Sequence, residues 1–285
     1  MQPLRDSLAL LSRSAPVRRV LRQLVAGERV EDVVHAVAGL AEDGFAVSVD
    51  HLAAPARTEV QAFAAVAAYR TLLDRLADAG LAAGTDVTVR PEVLGEPLLD
   101  NARKVCRTAA RAGATVTIAR SESADVATTL ALVAALRADF PDVGVAVAAG
   151  PDRTEDDCRA LAGPGSRVRL ERGAGEDRAE IDKAYVRCLK VLLAGDGYPM
   201  IATHDPRLVE IAGALASRYG RAPSTYEIQM LHGVRPAEQR RLAASGEQVR
   251  VRVAYGPEWS RHLARRLAER PADLRLFLTS LVSGR

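Results

Sequence analysis

One candidate ligand-binding segment begins with basic residues and ends with small ones. It runs from Arg167 through Arg169 and Arg172 to Gly173 and Ala174. Backbone without bulky side chains can approach a ligand closely, and the neighbouring arginines would suit an anionic cofactor. A surface turn with solvated arginines explains the same spacing equally well.

A second candidate segment reads Thr203-His204-Asp205-Pro206 and precedes a predicted helix. A helix N-terminus favours phosphate or carboxylate, so these side chains could hold an anionic group. Taken alone, the segment is better explained by Asp205 capping the helix. Further along, Glu227 and Gln229 alternate with apolar residues and share one face of a strand, which favours an internal polar network over a binding surface.

The last predicted helix carries two adjacent arginines, Arg265 and Arg266, with Glu269 four residues after the first. A guanidinium binds a carboxylate through two parallel hydrogen bonds, and Glu269 could fix the rotamer of Arg265. A solvated charged face is the common alternative for such a run on a terminal helix.

Eight β-branched runs, each followed by helical periodicity, would position these groups. The predicted strands are 45–49, 87–90, 115–119, 143–149, 167–170, 200–203, 226–230 and 249–254, and the predicted helices include 58–79, 99–112, 124–139, 178–194, 206–219, 236–245 and 257–269. This alternation is typical of parallel βα units. It favours a single α/β domain over 1–285, with a helical extension at 1–42 and a distorted (βα)8 TIM-type barrel at 43–285, over an open doubly wound sheet.

Composition excludes several other classes of protein. The 285 residues are 48% hydrophobic and 26% charged with a net charge of +3, which is ordinary for a globular domain and gives no nucleic-acid footprint. Three widely spaced cysteines predict neither a disulfide framework nor a zinc site and favour the cytoplasm. Arginines interrupt the apolar N-terminal residues before any membrane-spanning length, so at most peripheral contact with the inner face of a membrane is expected.

Four segments read together resemble the proline dehydrogenase family, a group of FAD-dependent barrel enzymes. They are Arg169-Leu170-x-Arg172-Gly173-Ala174, the run from Tyr198 to Asp205, Tyr226-Glu227-x-Gln229-Met230-Leu231-x-Gly233, and the run from Tyr255 to Glu269. The resemblance implies that Arg265 and Arg266 clamp the carboxylate of proline and that Glu269 orients them. It also implies FAD as cofactor, Arg169 as a catalytic and FAD-contacting residue, and FAD contacts at Gly173, Ala174, Thr203, His204 and Leu231.

Several positions depart from the family pattern. Ala119 stands where the family has an Asp, Ala148 where it has a Gln, and Gly175 where it has a Tyr. Arg252 and His262 replace two aromatic residues, Arg90 replaces a Lys, and Glu176-Asp177 bridges a deletion. Because Arg90 and Arg252 add positive charge while Ala119 removes an acid, a substrate more anionic than proline is expected.

Two functional hypotheses follow from the resemblance and its departures. In the first, the protein oxidises proline or a related cyclic amino acid by hydride transfer to flavin, and electrons pass on to a quinone or another acceptor. In the second, the barrel has diverged to bind an anionic ligand or to catalyse another reaction, with or without FAD. A metal-dependent hydrolase is least favoured, since the five histidines show no paired ligand spacing and no metal site is predicted.

Overall fold

Nine parallel strands form one sheet, and eight of them close into a barrel. The computed structural model describes residues 24–121, 125–150, 153–175 and 177–262. The strands are β1 Val25–Gly27, β2 Ala46–His51, β3 Asp86–Val89, β4 Thr115–Ile118, β5 Gly144–Ala149, β6 Arg167–Arg172, β7 Tyr198–Ala202, β8 Glu227–Leu231 and β9 Val249–Tyr255. Strands β2 to β9 each pair with the next, and β9 also pairs with β2, which closes the barrel.

Helices connect successive strands and surround the barrel. They are α1 Val30–Glu42, α2 Glu59–Asp78, α3 Pro91–Leu94, α4 Leu98–Ala112, α5 Val126–Arg137, α6 Thr154–Leu161, α7 Arg178–Ala194, α8 Pro206–Arg218 and α9 Pro236–Ala244. Side chains cap several of their N-termini, as where Thr58 accepts a hydrogen bond from the Gln61 backbone and Asp177 accepts one from Glu180. Within the described ranges, no helix is long and apolar enough to cross a membrane.

The predicted barrel is confirmed, and all eight predicted strands lie within two residues of the observed bounds. The predicted helical extension at 1–42 is wrong at Val25–Gly27, because these residues form the short strand β1 beside β9. The bounds of helix α6, which follows β5, were not predicted. Its eight residues include Glu155, Asp156, Asp157 and Arg159, so its apolar periodicity is weak.

Polar and apolar residues alternate along the barrel strands, with the apolar ones packed beneath the helices. Val47 and Val49 of β2 and Val87 and Val89 of β3 belong to the main hydrophobic core. The intervening polar side chains hydrogen-bond across the barrel interior, as Arg169 of β6 does with β2 and β3. The barrel interior is therefore held largely by polar contacts, and the catalytic end of such a fold lies at the carboxyl ends of the strands.

Candidate active site

A buried polar network lies beneath the carboxyl ends of the barrel strands. Asp86 accepts hydrogen bonds from Ser48 Oγ at 2.8 Å, Thr117 Oγ1 at 2.7 Å and Arg169 Nη2 at 2.9 Å. Arg169 Nη1 also donates to Thr88 Oγ1 at 2.9 Å. Since strands β2 and β3 lie across the barrel from β6, Arg169 spans its interior.

Both charged groups of this network are fully buried, and their charges balance. The pKa of Arg169 is lowered to about 10, chiefly by burial and secondly by the charge of Arg252. The guanidinium is therefore still protonated at neutral pH. Burial alone would raise the pKa of Asp86, but Arg169 and two further arginines hold it below its usual value. The resemblance implied that Arg169 acts on flavin, whereas its two terminal nitrogens are occupied by protein atoms in this structure.

Asp50 and Arg90 form an ion pair at the mouth of the barrel. Arg90 donates from Nε to Asp50 Oδ1 at 3.0 Å and from Nη2 to Asp50 Oδ2 at 2.7 Å, and both side chains are largely buried. Burial would raise the pKa of Asp50, but Arg90 outweighs it and holds the pKa well below the usual range. Asp50 therefore stays ionised at neutral pH.

A second ion pair crosses the same opening. Arg252 of β9 donates from Nη1 to Glu171 Oε1 of β6 at 2.8 Å. Each of the two arginines that were expected to add unbalanced positive charge thus has a carboxylate partner. The sequence-based expectation of a strongly cationic mouth is wrong for Arg90 and Arg252, because Asp50 and Glu171 offset them.

Small side chains occupy the positions next to this second pair. Ala148 of β5 and Ala202 of β7 are the register partners of Glu171 on the neighbouring strands. Ala119 directly follows β4, and its backbone N–H bonds to Val89. On the side of the mouth formed by β4, β5 and β7, these positions therefore carry methyl groups and no hydrogen-bonding side chain.

A small cavity lies on the opposite side of the mouth, between the ends of β2, β8 and β9. Its polar lining residues are Asp50, Arg252 and His262. Its apolar wall includes residues of a separate hydrophobic cluster, namely Leu24, Val25, Leu52, Val234 and Trp259. Trp259 is anchored by a hydrogen bond from Nε1 to Glu28 Oε1 at 2.9 Å. The cavity therefore combines one carboxylate, one guanidinium and one imidazole with apolar walls.

The loops after β7 and β8 bind to each other through two predicted cofactor residues. His204 Nε2 accepts a hydrogen bond from the Leu231 backbone N–H at 2.8 Å. Thr203 Oγ1 accepts one from the backbone N–H of Asp205 at 3.1 Å, and Asp205 caps α8 by accepting from Arg207. The capping interpretation of Asp205 is confirmed. Thr203, His204 and Leu231 do come together at the mouth of the barrel.

The backbone, rather than a ligand, explains the glycine at 173. A Cβ on Gly173 would lie 2.0 Å from the carbonyl oxygen of Ala149, the last residue of β5. Ala174 and Gly175 are exposed. Nearby, Arg172 pairs with Asp182 of α7.

The internal network expected for β8 is confirmed. Gln229 Nε2 donates to Glu227 Oε1 at 2.6 Å, Arg250 Nε donates to the same oxygen at 2.7 Å, and Tyr198 donates to Glu227 Oε2 at 3.0 Å. Glu227 and Gln229 thus serve the barrel interior. The predicted substrate-binding residues Arg265, Arg266 and Glu269 lie outside the described residues, as does Glu176.

Comparison with known proteins finds proline dehydrogenases among the relatives of this chain. A family model described as proline dehydrogenase matches residues 175–275. Proline dehydrogenase 1 of Bacillus subtilis (strain 168) is 26% identical over 289 residues, which cover 97% of this chain and 95% of that protein. The proline dehydrogenase of Deinococcus radiodurans is 28% identical over 282 residues, covering 92% of this chain and 90% of that protein. Nearly the whole chain is therefore similar to proline dehydrogenases.

Solved structures share the barrel fold of this chain. Proline utilization A (PutA) from Bdellovibrio bacteriovorus, inactivated by N-propargylglycine, superposes with a TM-score of 0.81 at 19% identity. The match covers 88% of this chain and 32% of that chain. PutA from Corynebacterium freiburgense gives a TM-score of 0.73 at 16% identity, covering 100% of this chain and 35% of that chain. This chain thus spans about a third of the length of either PutA.

The residues at the mouth fit a planar group that is rich in hydrogen-bond acceptors, as the flavin of FAD is. The Nε–H groups of Arg169 and Arg252 are buried without hydrogen-bond partners among the described residues. Buried donors of this kind are normally satisfied, so each suits an acceptor atom of a bound group. Ala148 and Ala202, which are both partly exposed, present only methyl groups to such a group.

Sequence reasoning missed two carboxylates of the site, Asp50 and Glu171. The alternation Val47-Ser48-Val49-Asp50 gave a usable signal, because it places Ser48 and Asp50 on the inward face of β2. The same reasoning applies to Arg167, Arg169 and Glu171 on β6. What no strand pattern shows is which partner each side chain meets, since Arg252 and Glu171 lie on strands that are not neighbours.

Proposed function

We propose that this protein is an oxidoreductase that converts L-proline, or a related cyclic amino acid, to the corresponding pyrroline carboxylate with FAD as cofactor. Arg265 and Arg266 would bind the substrate carboxylate bidentately, and Glu269 would hold Arg265 in position. When bound, FAD would accept the hydride from the substrate ring. Electrons would then pass to a quinone or another acceptor.

Asp50 would attract the substrate's amino group. The cavity beside Asp50 has apolar walls that suit a pyrrolidine ring, and Asp50 is the acidic residue among its described lining residues. Because Arg90 keeps Asp50 ionised, Asp50 can hold an ammonium group but is a weak acceptor for its proton. His262, at the same cavity, is a candidate for taking that proton, with water as the other acceptor.

Arg169 and Arg252 would hold the cofactor through their unpartnered Nε–H groups. Their terminal nitrogens are already fixed by Asp86 and Glu171, so both guanidinium groups are oriented before any ligand binds. Gly173, Ala174, Thr203, His204 and Leu231 would complete the cofactor site, as the family resemblance implies.

The observation that carries the proposal is the mouth of the barrel itself. Asp50, whose charge is fixed by Arg90, lines a cavity with apolar walls. Two buried guanidinium N–H groups lack partners among the described residues, and the chain is similar to proline dehydrogenases over nearly its whole length. This arrangement supports both an amino-acid pocket and an adjoining flavin.

A visible absorption spectrum of freshly purified protein tests the cofactor. Protein expressed with riboflavin supplied should be yellow and should contain about one FAD per chain. Turnover of proline with an artificial electron acceptor should then be measurable, and Arg265→Ala or Arg266→Ala should abolish it. Arg261→Ala is the matched control, because this side chain is 80% exposed and pairs with Glu258. Protein that carries no flavin after such expression would refute the proposal.

A second candidate function is binding of an anionic ligand without proline oxidation. It is favoured by the loss of family residues at Ala119, Ala148 and Gly175 and by the polar replacements Arg252 and His262. The pairing of Arg90 and Arg252 with carboxylates weakens it, because neither supplies unbalanced charge. Proline turnover that disappears in Arg265→Ala would rule it out.

A further inference from the structure

Helix α2 has an apolar stripe on its outer surface. Val60 is 79% exposed and Phe63 is 77% exposed. Ala64 and Ala67 are exposed as well, and the spacing of these four residues places them on one face of the helix. Val60, Phe63, Ala64 and Ala67 together form the stripe.

The stripe is separate from the surface that α2 packs against the barrel. The inner face of this helix buries Ala62, Ala65, Val66, Tyr69, Leu72, Leu73 and Leu76. Burial of an aromatic ring contributes a large share of any interface, so an exposed Phe63 beside Val60 is unfavourable in water. Among the residues that the structure describes, none buries this stripe, which is therefore suited to a partner.

Charges beside the stripe match a second copy of the same helix. Glu59 and Arg70 flank the stripe on the same side, eleven residues apart, near its two ends. Both belong to α2, and neither forms an ion pair within the described parts of its own chain. In an antiparallel pair of helices centred between Phe63 and Ala67, Glu59 of each copy would face Arg70 of the other. In a parallel pair, the flank that carries Glu59 and Arg70 would lie on opposite sides of the contact in the two copies, so these charges would not face each other.

The steric pattern is self-complementary in the same arrangement. A twofold axis that places Phe63 opposite Ala67 of the partner also places the partner's Phe63 opposite Ala67. The small side chains of Ala64 and Ala67 let the two helices approach closely and leave room for the rings.

We infer that the stripe on α2 is the contact surface of a twofold-symmetric, antiparallel dimer of this protein. Four side chains from each copy are a small contact compared with the roughly 1,000 Å² that a stable interface needs. The dimer is therefore weak and depends on protein concentration. It involves a face of the barrel that carries none of the proposed active-site residues, so this inference does not depend on the proposed function.

Sedimentation velocity over a concentration series tests the dimer on the full chain. The wild-type protein should shift from monomer towards dimer as its concentration rises, and Phe63→Glu should weaken the dimer roughly tenfold or more. Ala77→Glu is the matched control, since it adds the same carboxylate at an exposed position of α2 beyond the stripe. It should leave the dissociation constant unchanged.

A charge exchange tests the antiparallel geometry. Glu59→Arg and Arg70→Glu should each weaken the dimer, because each puts like charges opposite one another. The double variant with both changes should recover the wild-type dissociation constant. A wild-type protein that remains monomeric at every concentration, or Phe63→Glu that dimerises as tightly as the wild type, would overturn the inference. Failure of the double variant to recover would overturn the antiparallel arrangement.

Discussion

Asp50 and Arg90 neutralise each other's charge at the barrel mouth. Both of its oxygens accept from Arg90, and the two side chains are only 9% and 13% exposed. Removing one member of such a buried pair leaves the other charge desolvated and uncompensated, which costs more than the pair itself contributes. The stability of the mouth therefore depends on keeping both members.

Replacing Asp50→Asn should destabilise the fold by about 3 to 5 kcal/mol at neutral pH, because Arg90 then remains buried without a carboxylate. Urea denaturation gives the free energy of unfolding. The double variant Asp50→Asn with Arg90→Gln should lose less than the single variant. Glu31→Gln is the control for an exposed pair, since Arg29 and Glu31 are 76% and 54% exposed, and it should change stability by less than about 1 kcal/mol. Equal effects of Asp50→Asn and Glu31→Gln would contradict the prediction.

The same variant has an expected pH signature. Arg90 lowers the pKa of Asp50 in the folded state, so the folded protein favours the ionised carboxylate more than the unfolded chain does. Its contribution is fully present above the unfolded value of about 3.9 and is lost as pH falls towards the folded pKa. The stability difference between wild type and Asp50→Asn should therefore shrink below about pH 4.

At the scale of single elements, β6 and the turn after it link the interior to the mouth. Arg169 reaches across the barrel, Glu171 reaches to Arg252, and Gly173 packs against the end of β5. Because β6 supplies contacts at two depths of the barrel, its register against β5 must be fixed. The close approach of Gly173 to Ala149 contributes to that register.

Gly173→Ala should therefore disrupt the end of β6. The new Cβ would lie 2.0 Å from the Ala149 carbonyl oxygen, so the backbone must move. We expect a loss of at least about 2 kcal/mol in thermal or urea unfolding. Gly213→Ala in helix α8 is the matched control, because nothing lies within 4 Å of its Cβ position. There alanine should be neutral or stabilise by up to about 1 kcal/mol. Equal losses in the two variants would refute the steric explanation.

Elements of this fold were predictable where local pattern decides structure. Short β-branched runs separated by long helical periods located every barrel strand, because this spacing reflects burial beneath the helices. Strand β1 was missed because three residues carry no periodicity, and its strand character comes from pairing with β9. The pairs Asp50 with Arg90 and Glu171 with Arg252 were not predicted, because their members are far apart in sequence. Pairing of β2 with β3 brings the first two together, and barrel closure brings Glu171 of β6 within reach of Arg252 of β9.

At the scale of the whole molecule, barrel closure depends on contacts between the last strand and its two neighbours. Arg250 of β9 donates from Nε to Glu227 of β8 at 2.7 Å and from Nη1 to the Val47 carbonyl of β2 at 2.7 Å. It also donates to the Gly84 carbonyl at 2.8 Å, just before β3. One buried side chain thus joins the final strand to the strands on both sides.

Arg250→Met should weaken closure and cost about 3 to 5 kcal/mol, because Glu227 is then buried without its cation and two carbonyl groups lose their donor. Adding Glu227→Gln should recover part of that loss, since a neutral amide does not need the cation. Arg241→Met is the control, because Arg241 is 60% exposed and pairs with Glu238 at 2.8 Å.

Should Arg250→Met fail to fold, Arg250→Lys is the alternative variant, since it keeps the charge. It should still be less stable than wild type, because an ammonium lacks the planar fork that reaches both strands. Urea denaturation gives the free energy of unfolding of each variant. If Arg250→Met, or Arg250→Lys in its place, is as stable as Arg241→Met, strand pairing alone closes the barrel.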